Sequence, residues 1–308
     1  MPDRKCRGRE RPPGFQAGLP ARRGRKPRLR GLLPLLAMVA LAVPAGAEPA
    51  PRRVVSINVC TDQLAMLIAG EGQLHSVSML ASDVNSSAMA QQARAYAVNH
   101  AQAEEIFLMK PDLVLAGTFS SRATVGLLRE LGVDIEEFAP ASSFDDIRRD
   151  ILRVGELLER RQRAGELVAE LDAGLAELAA ARTISPASGR SIALYEANSY
   201  TTGKGTLANE IVRAAGLVNV AEEMGIVGSG RVPLEMLIVA RPDMVASSFR
   251  DYGAPALAQE NFVHPAFAAL EARSQAVALP VPNMICGAPF TLEAAFVLQR
   301  AAERRARP

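Results

Sequence analysis

The sequence of 308 residues contains no Trp, three His and three Cys. Without Trp, no indole can lie against a flat ligand, and only Tyr and Phe remain for that task. His75, His100 and His264 are not spaced as metal ligands, so no metal site is assigned. There is no C-x-x-C, which removes a zinc ribbon and a thioredoxin-like centre. A G-x-S-x-G elbow, an H-E-x-x-H helix and a G-x-G-x-x-G turn after a strand are all missing. No catalytic residue is therefore assigned, and an exported α/β enzyme is a distant alternative. Beyond residue 47 no stretch approaches the roughly 20 apolar residues that span a bilayer.

Charge is present but unevenly placed. Residues 1–47 hold 11 of the 35 basic and 2 of the 33 acidic side chains, so the rest holds 24 against 31, a net charge of −7. A phosphate-tracking nucleic-acid binder needs a basic footprint, and this balance argues against one. In the first segment Arg22, Arg23, Arg25, Lys26, Arg28 and Arg30 precede an apolar run over residues 32–43, then Ala45-Gly46-Ala47. A basic region, a short apolar run and an A-x-A site predict a secretory signal peptide over residues 1–47, cleaved after Ala47. No Cys follows the apolar run closely, so no lipid attachment is expected. The remainder should be soluble in an exported compartment, a periplasm.

Past that segment, short apolar strands alternate with helices. Strands are predicted at residues 53–57, 75–79, 113–116 and 133–138, and helices at 61–69, 104–109 and 122–131. Thr61 or Asp62 would cap the first helix. Residues 81–99 read as loop with one helical turn. Such alternation implies parallel sheets covered by helices on both faces. From Ser143, which resembles a capping residue with Asp146 three positions on, the pattern is helical to residue 182 with a break at 159–162. Residues 163–181 alone would span about 28 Å at 1.5 Å per residue, enough to bridge two lobes. The alternation restarts with Arg190-Ser191-Ile192-Ala193-Leu194-Tyr195, and a helix over 207–215 ends at Gly216.

One motif occurs twice. Glu104-Glu105-Ile106 leading to Lys110-Pro111-Asp112-Leu113-Val114 matches Glu235-Met236-Leu237 leading to Arg241-Pro242-Asp243-Met244-Val245, each position 131 residues on. A single copy is an ordinary helix-to-strand turn. Two copies at constant offset, each after a matching first strand, predict two lobes of similar build. The expected boundaries are an N-terminal lobe at 48–141, a connecting helical segment at 142–183 and a C-terminal lobe at 184–308.

Arg53-Val-Val-Ser-Ile, the block from Ala103 through Lys-Pro-Asp-Leu-Val-Leu-Ala116, and His264-Pro265-Ala-Phe-Ala-Ala-Leu270 together resemble the periplasmic binding proteins of iron-chelate and cobalamin ABC importers. The resemblance covers essentially the whole chain after residue 47. It implies an α/β fold of two Rossmann-like lobes with parallel sheets, joined by a long rigid helix, with ligand held between them. It also implies that Glu104 and Glu235 dock onto Arg residues of an inner-membrane permease, and that the protein works as a monomer. Two carboxylates on separate lobes would steer docking by charge complementarity.

In doubly wound sheets the ligand lies beyond the carboxyl ends of the strands. Loops predicted there supply Cys60, Thr61, His100 and Phe119 from the first lobe, and Tyr200, Arg231, Phe249, Arg250 and Cys286 from the second. Tyr200, Phe119 and Phe249 would lie against a macrocycle or aromatic chelate. Arg231, Arg250 and Arg122 would pair with anionic oxygens, which the guanidinium fork suits. Cys60 and Cys286 could line the cleft, contact ligand or bridge the lobes; plain burial or lining ranks first, and a bridge would restrain opening. Thr202-Gly203-Lys204-Gly205-Thr206 departs from a phosphate loop and reads as a turn before a helix. The ligands that the resemblance implies are iron chelates (ferric siderophores or haem) and corrinoids; iron or cobalt belongs to the cargo, and no resident cofactor is expected. The arginines favour an anionic iron complex, and the lack of Trp removes the indole contacts common in corrinoid binders.

Overall fold

The computed structural model describes residues 50–184, 188–247 and 256–306. The expected signal segment (residues 1–47), Phe249 and Arg250 lie outside them. The first lobe runs β1 (Val54–Ser56), α1 (Val59–Ile68), β2 (Leu74–Ser78), β3 (Ala97–Asn99), α2 (Ala103–Leu108), β4 (Leu113–Gly117), α3 (Arg122–Glu130) and β5 (Ile135–Phe138). Its strands form one parallel sheet in the order β3-β2-β1-β4-β5. Two details differ from expectation. Asn58 caps α1, its side chain accepting from the Cys60 N–H. The 81–99 loop ends in the edge strand β3, whose three residues are too few for periodicity to reveal.

After α4 (Phe144–Leu157) and α5 (Arg161–Ile184), the second lobe begins with β6 (Ser191–Tyr195), β7 (Tyr200–Thr202), α6 (Leu207–Ala214), β8 (Val218–Asn219), α7 (Val220–Glu223) and β9 (Ser229–Arg231). It continues with α8 (Leu234–Ala240), β10 (Met244–Ser247), α9 (Glu260–Val263), α10 (Pro265–Glu271), β11 (Gln275–Ala276), α11 (Pro282–Ile285) and α12 (Leu292–Ala306). A parallel sheet of order β11-β10-β6-β8 is accompanied by an antiparallel pair, β7 with β9.

Strand alternation shows why both sheets are covered on both faces. On β4, Leu113 and Leu115 join one hydrophobic cluster while Val114 and Ala116 join another. On β6, Ile192 and Leu194 face the first of these clusters and Ala193 and Tyr195 a third. Period-two side chains thus supply two cores from each sheet. The cluster common to both lobes is built around α4, α5 and α12, with Leu167, Leu171 and Leu178 of α5 buried in it. The lobes therefore share one continuous core along one side.

The expected helix break is present: α4 stops at Leu157, Glu159 takes a φ of 55°, and α5 follows. Ser143 caps α4 by accepting from Asp146 N–H. At 24 residues, α5 is about 36 Å long.

The repeated motif also acquires a structural meaning. Lys110 and Arg241, with φ of 50° and 49°, turn the chain out of α2 and α8. Asp112 then accepts from the backbone N–H groups of Arg52 (2.6 Å) and Arg53 (2.9 Å), ahead of β1. Asp243 accepts from the N–H and hydroxyl of Ser191, both at 2.9 Å, at the start of β6. In each lobe the aspartate ties the entry of the first strand to its parallel neighbour.

Candidate functional site

Parallel strands expose their carboxyl ends to one side, and in both lobes a cavity lies there. The segment joining them is covalent. Cys60, in the first turn of α1, and Cys286, just past α11, form a disulfide with Cα atoms 5.0 Å apart. Cys286 is buried and Cys60 borders the N-lobe cavity, as expected, and the lower-ranked alternative holds as well: the two bridge the lobes, so their sulfurs are not thiols available to a ligand. Beside the bridge the chains approach closely, since a Cβ on Gly287 would come within 2.6 Å of Ile147 Cγ1 on α4.

The N-lobe cavity, about 60 Å³, is bordered by Asn58, Cys60, Thr61, Gly117 to Phe119, the 138–141 segment, Asp150 and Gly287. Phe119 stands 84% exposed at its rim. Thr61 is buried, and its hydroxyl is engaged with Ser56 Oγ (2.8 Å) and the Asn58 carbonyl (3.0 Å). Behind it, buried Asp62 accepts from Ser78 Oγ (2.5 Å) and Ser78 N–H (3.1 Å). Burial raises the Asp62 pKa to about 6, only partly offset by hydrogen bonds from Ser56 and Ser78. Thr61 thus borders the cavity, while Asp62, next to it in α1, lies outside the lining.

The C-lobe cavity is larger, about 190 Å³, and mostly apolar. Leu194, Ala246, Leu279, Val281, Met284 and Ile285 form its walls, with Glu196, Thr202 and Ser247 as polar elements. Glu196 is exposed at the rim, yet desolvation raises its carboxyl above the ordinary pKa. The Thr202 hydroxyl is buried and has no hydrogen-bond partner. Glu196, Thr202 and the 279–285 segment were missed by sequence reasoning. Their nearest signal was the position of Glu196 directly after a predicted strand.

The other candidates are spread out. Tyr200, 41% exposed, lies on β7 with the Arg231 guanidinium 5.0 Å from its ring centroid, held there by β7–β9 pairing. His100 follows the outer edge strand β3 and faces Glu105, with Nδ1 3.3 Å from Oε1. It lines neither cavity described above. Arg122 is committed to Glu137 at 2.5 Å, alongside Arg129 at 2.7 Å. His264 caps α10, Nδ1 accepting from Ala266 N–H. Glu104 and Glu235 are exposed, each the second residue of its helix, and neither is ion-paired among the described residues. One helical turn on from each, Leu108 and Val239 are 77% and 75% exposed.

Two parallel α/β lobes with a shared helical spine and a cavity at the strand ends of each define a two-lobed binding-protein fold. Residues 54–274 match the family model described as periplasmic binding protein, and the chain belongs to that family. It is a family of binding proteins, not of enzymes. Similar solved structures include a periplasmic haem-binding protein of Pseudomonas aeruginosa (18% identity, TM-score 0.67, covering 84% of this chain and 95% of that one). Another is the vitamin B12-binding protein of Vibrio cholerae (19%, TM-score 0.60, 84% and 99%). At these identities the likeness is one of fold. Among curated relatives, an uncharacterised ABC transporter substrate-binding lipoprotein of Bacillus subtilis is 27% identical, over 47% of this chain and 48% of that protein. A cobalamin-binding protein of Halobacterium salinarum is 24% identical, over 64% and 54%. The matches thus span about half the length of these relatives. No described helix is long and apolar enough to cross a membrane.

Proposed function

We propose that this is the periplasmic solute-binding component of an ABC importer, which captures a bulky iron complex, a ferric siderophore or haem, between its lobes and delivers it to the permease. The observation that carries this reading is the pair of strand-end cavities on either side of the Cys60–Cys286 bridge, one per lobe. A ligand spanning both would meet Phe119 from one lobe and the apolar walls around Met284 from the other. Tyr200 and Arg231 would offer a ring and a cation, and Phe249 and Arg250 remain candidates for the same ligand. Residues 1–47 are the signal peptide, 48–141 and 184–308 the lobes, and 142–183 the connector. A long helix, a common core and a covalent bridge favour 1:1 binding by a monomer with little closure.

Docking is assigned to Glu104 and Glu235. Neither is ion-paired among the described residues, and each is followed on the same helix face by an exposed apolar residue, Leu108 or Val239, at the spacing that stacks side chains in a helix. Such a pattern, repeated 131 residues apart, suits a permease surface offering arginines and an apolar rim.

A second reading, a corrinoid ligand, is favoured by the cobalamin-binding relatives and by the apolar C-lobe walls. Titrating the purified protein with ferric siderophores, haemin and cyanocobalamin, followed by tyrosine fluorescence and ligand absorbance, separates the two readings. Micromolar or tighter binding of one class is expected; binding of none would reject both. Glu104→Arg with Glu235→Arg should abolish uptake and leave ligand affinity unchanged. Normal uptake by that double variant would reject the docking role.

A further inference from the structure

We infer that the C-lobe cavity selects a ligand arm that is uncharged and donates hydrogen bonds, such as an amide, and rejects a carboxylate arm, with Glu196 and Thr202 making the choice. The inference rests on the proposed ligand cleft and narrows what can occupy it.

The cavity lies at the carboxyl ends of β6 and β10 and reaches Ile285, next to the interlobe bridge, so it opens where a ligand held between the lobes would project an arm. Its volume of about 190 Å³ suits an arm of a few heavy atoms, not a whole chelate. The walls are aliphatic and take methylene groups. Polar recognition falls to few atoms. The Tyr195 hydroxyl, adjacent in sequence, is already engaged with Ser199 Oγ (2.9 Å) and the Val232 carbonyl (3.3 Å). The carbonyl of Thr202 is likewise occupied by Asn219 Nδ2 at 2.8 Å. What lacks a partner among the described residues is the Thr202 hydroxyl, which is buried, the Ser247 hydroxyl and the Glu196 carboxyl. A buried hydroxyl without a partner is a cost that a ligand can remove.

The charge of the arm follows from the lining. No Lys or Arg borders the cavity among the described residues. Among the described residues, a carboxylate entering it would meet Glu196 without a countercharge, in surroundings that already penalise ionisation of Glu196 itself. An amide places its N–H groups toward Glu196 and its carbonyl toward the Thr202 hydroxyl, satisfying both. Sites built on such hydrogen bonds discriminate strongly against arms that cannot complete them.

The test uses matched pairs differing only in the arm: cyanocobalamin and its propionic-acid hydrolysis product, haemin diamide and haemin, and a ferric trihydroxamate with amide or carboxylate side arms. In any pair that binds, the amide member should bind about tenfold tighter to the wild type. Glu196→Gln should shrink that ratio to about threefold or less, chiefly by improving the carboxylate member, and Thr202→Val should weaken the amide member about fivefold. Thermal unfolding of each variant checks that the fold is retained, and Glu196→Gln, at the exposed rim, keeps the test decisive if Thr202→Val does not fold. Equal binding of the two members by the wild type, or a ratio that Glu196→Gln leaves unmoved, overturns the inference while the ligand class stands. Binding of none of the six at micromolar concentration removes the proposed ligand class, and this inference with it.

Discussion

The two lobes share a frame and differ where the frame ends. In both, a helix turns through a basic residue of positive φ, and a Pro-Asp pair ties the next strand to the first. At the carboxyl ends of the strands the likeness stops. The N-lobe closes its end with a buried, titratable network around Asp62, leaving a cavity of about 60 Å³. The C-lobe instead buries a neutral pair, Asn209 and Asn219, and opens an aliphatic cavity of about 190 Å³. The frame is a packing solution that either lobe can use. The ends of the strands are free to diverge because only the ligand constrains them.

The comparison breaks most severely where the lobes are joined. Leu171 of α5 is fully buried in the core they share. Leu171→Ala should lower unfolding free energy by up to about 5 kcal/mol. Both lobes should melt in one transition, checked by denaturation with probes in each. Two separate transitions would mean that the shared core does not couple them.

Next in size is the covalent link. Cys60→Ser with Cys286→Ser should cost up to about 4 kcal/mol, because the bridge closes a long loop in the unfolded chain. Hydrogen exchange should speed up around 58–61 and 285–291 while α5 stays protected. Unchanged exchange there would mean that the bridge does not restrain the lobes.

Asp62 tests the buried acid network of the N-lobe. Its folded pKa, about 6, lies above the ordinary 3.8 because burial penalises the charge. The folded state therefore holds the proton more tightly than the unfolded chain. The associated stability, about 3 kcal/mol, is fully present below about pH 4 and lost as pH rises through about 6. Asp62→Asn should flatten this dependence between pH 4 and 7, making the buried network of the N-lobe neutral like that of the C-lobe. Urea denaturation at several pH values checks it; a variant with the wild-type slope would remove Asp62 as the cause.

The smallest effects sharpen the likeness. Asp112→Ala and Asp243→Ala each remove two hydrogen bonds at the entry of a first strand. Each should cost about 1–3 kcal/mol by thermal or chemical unfolding. If one costs nothing, the two copies of the motif are not structurally equivalent.

Much of this was legible in the residues. Apolar runs of the strands, the break after Leu158, the cap at Ser143 and the constant offset of the motif are local signals, and the chain folds as they require. Short edge elements were not legible: β3, β7 and β9 have three residues each, below the length at which alternation can be told from chance. Among site residues, Cys60, Thr61 and Phe119 come together at the N-lobe cavity. His100 is carried to the sheet edge, and Arg122 is taken by Glu137. Sequence distance from a strand end says which loop a residue is on, not which neighbour claims its side chain.

The sequence by itself determined two α/β lobes, the helical link and the two outward glutamates, because hydrophobic period, caps and a repeated turn are written locally. Only the tertiary structure decided that Cys60 and Cys286 meet across 226 residues, that one lobe buries an acid in α1, and that the other keeps an apolar pocket with a buried, unpartnered hydroxyl. Those features depend on which side chains from distant segments share a small volume, and burial, pairing and desolvation act only once that volume has formed.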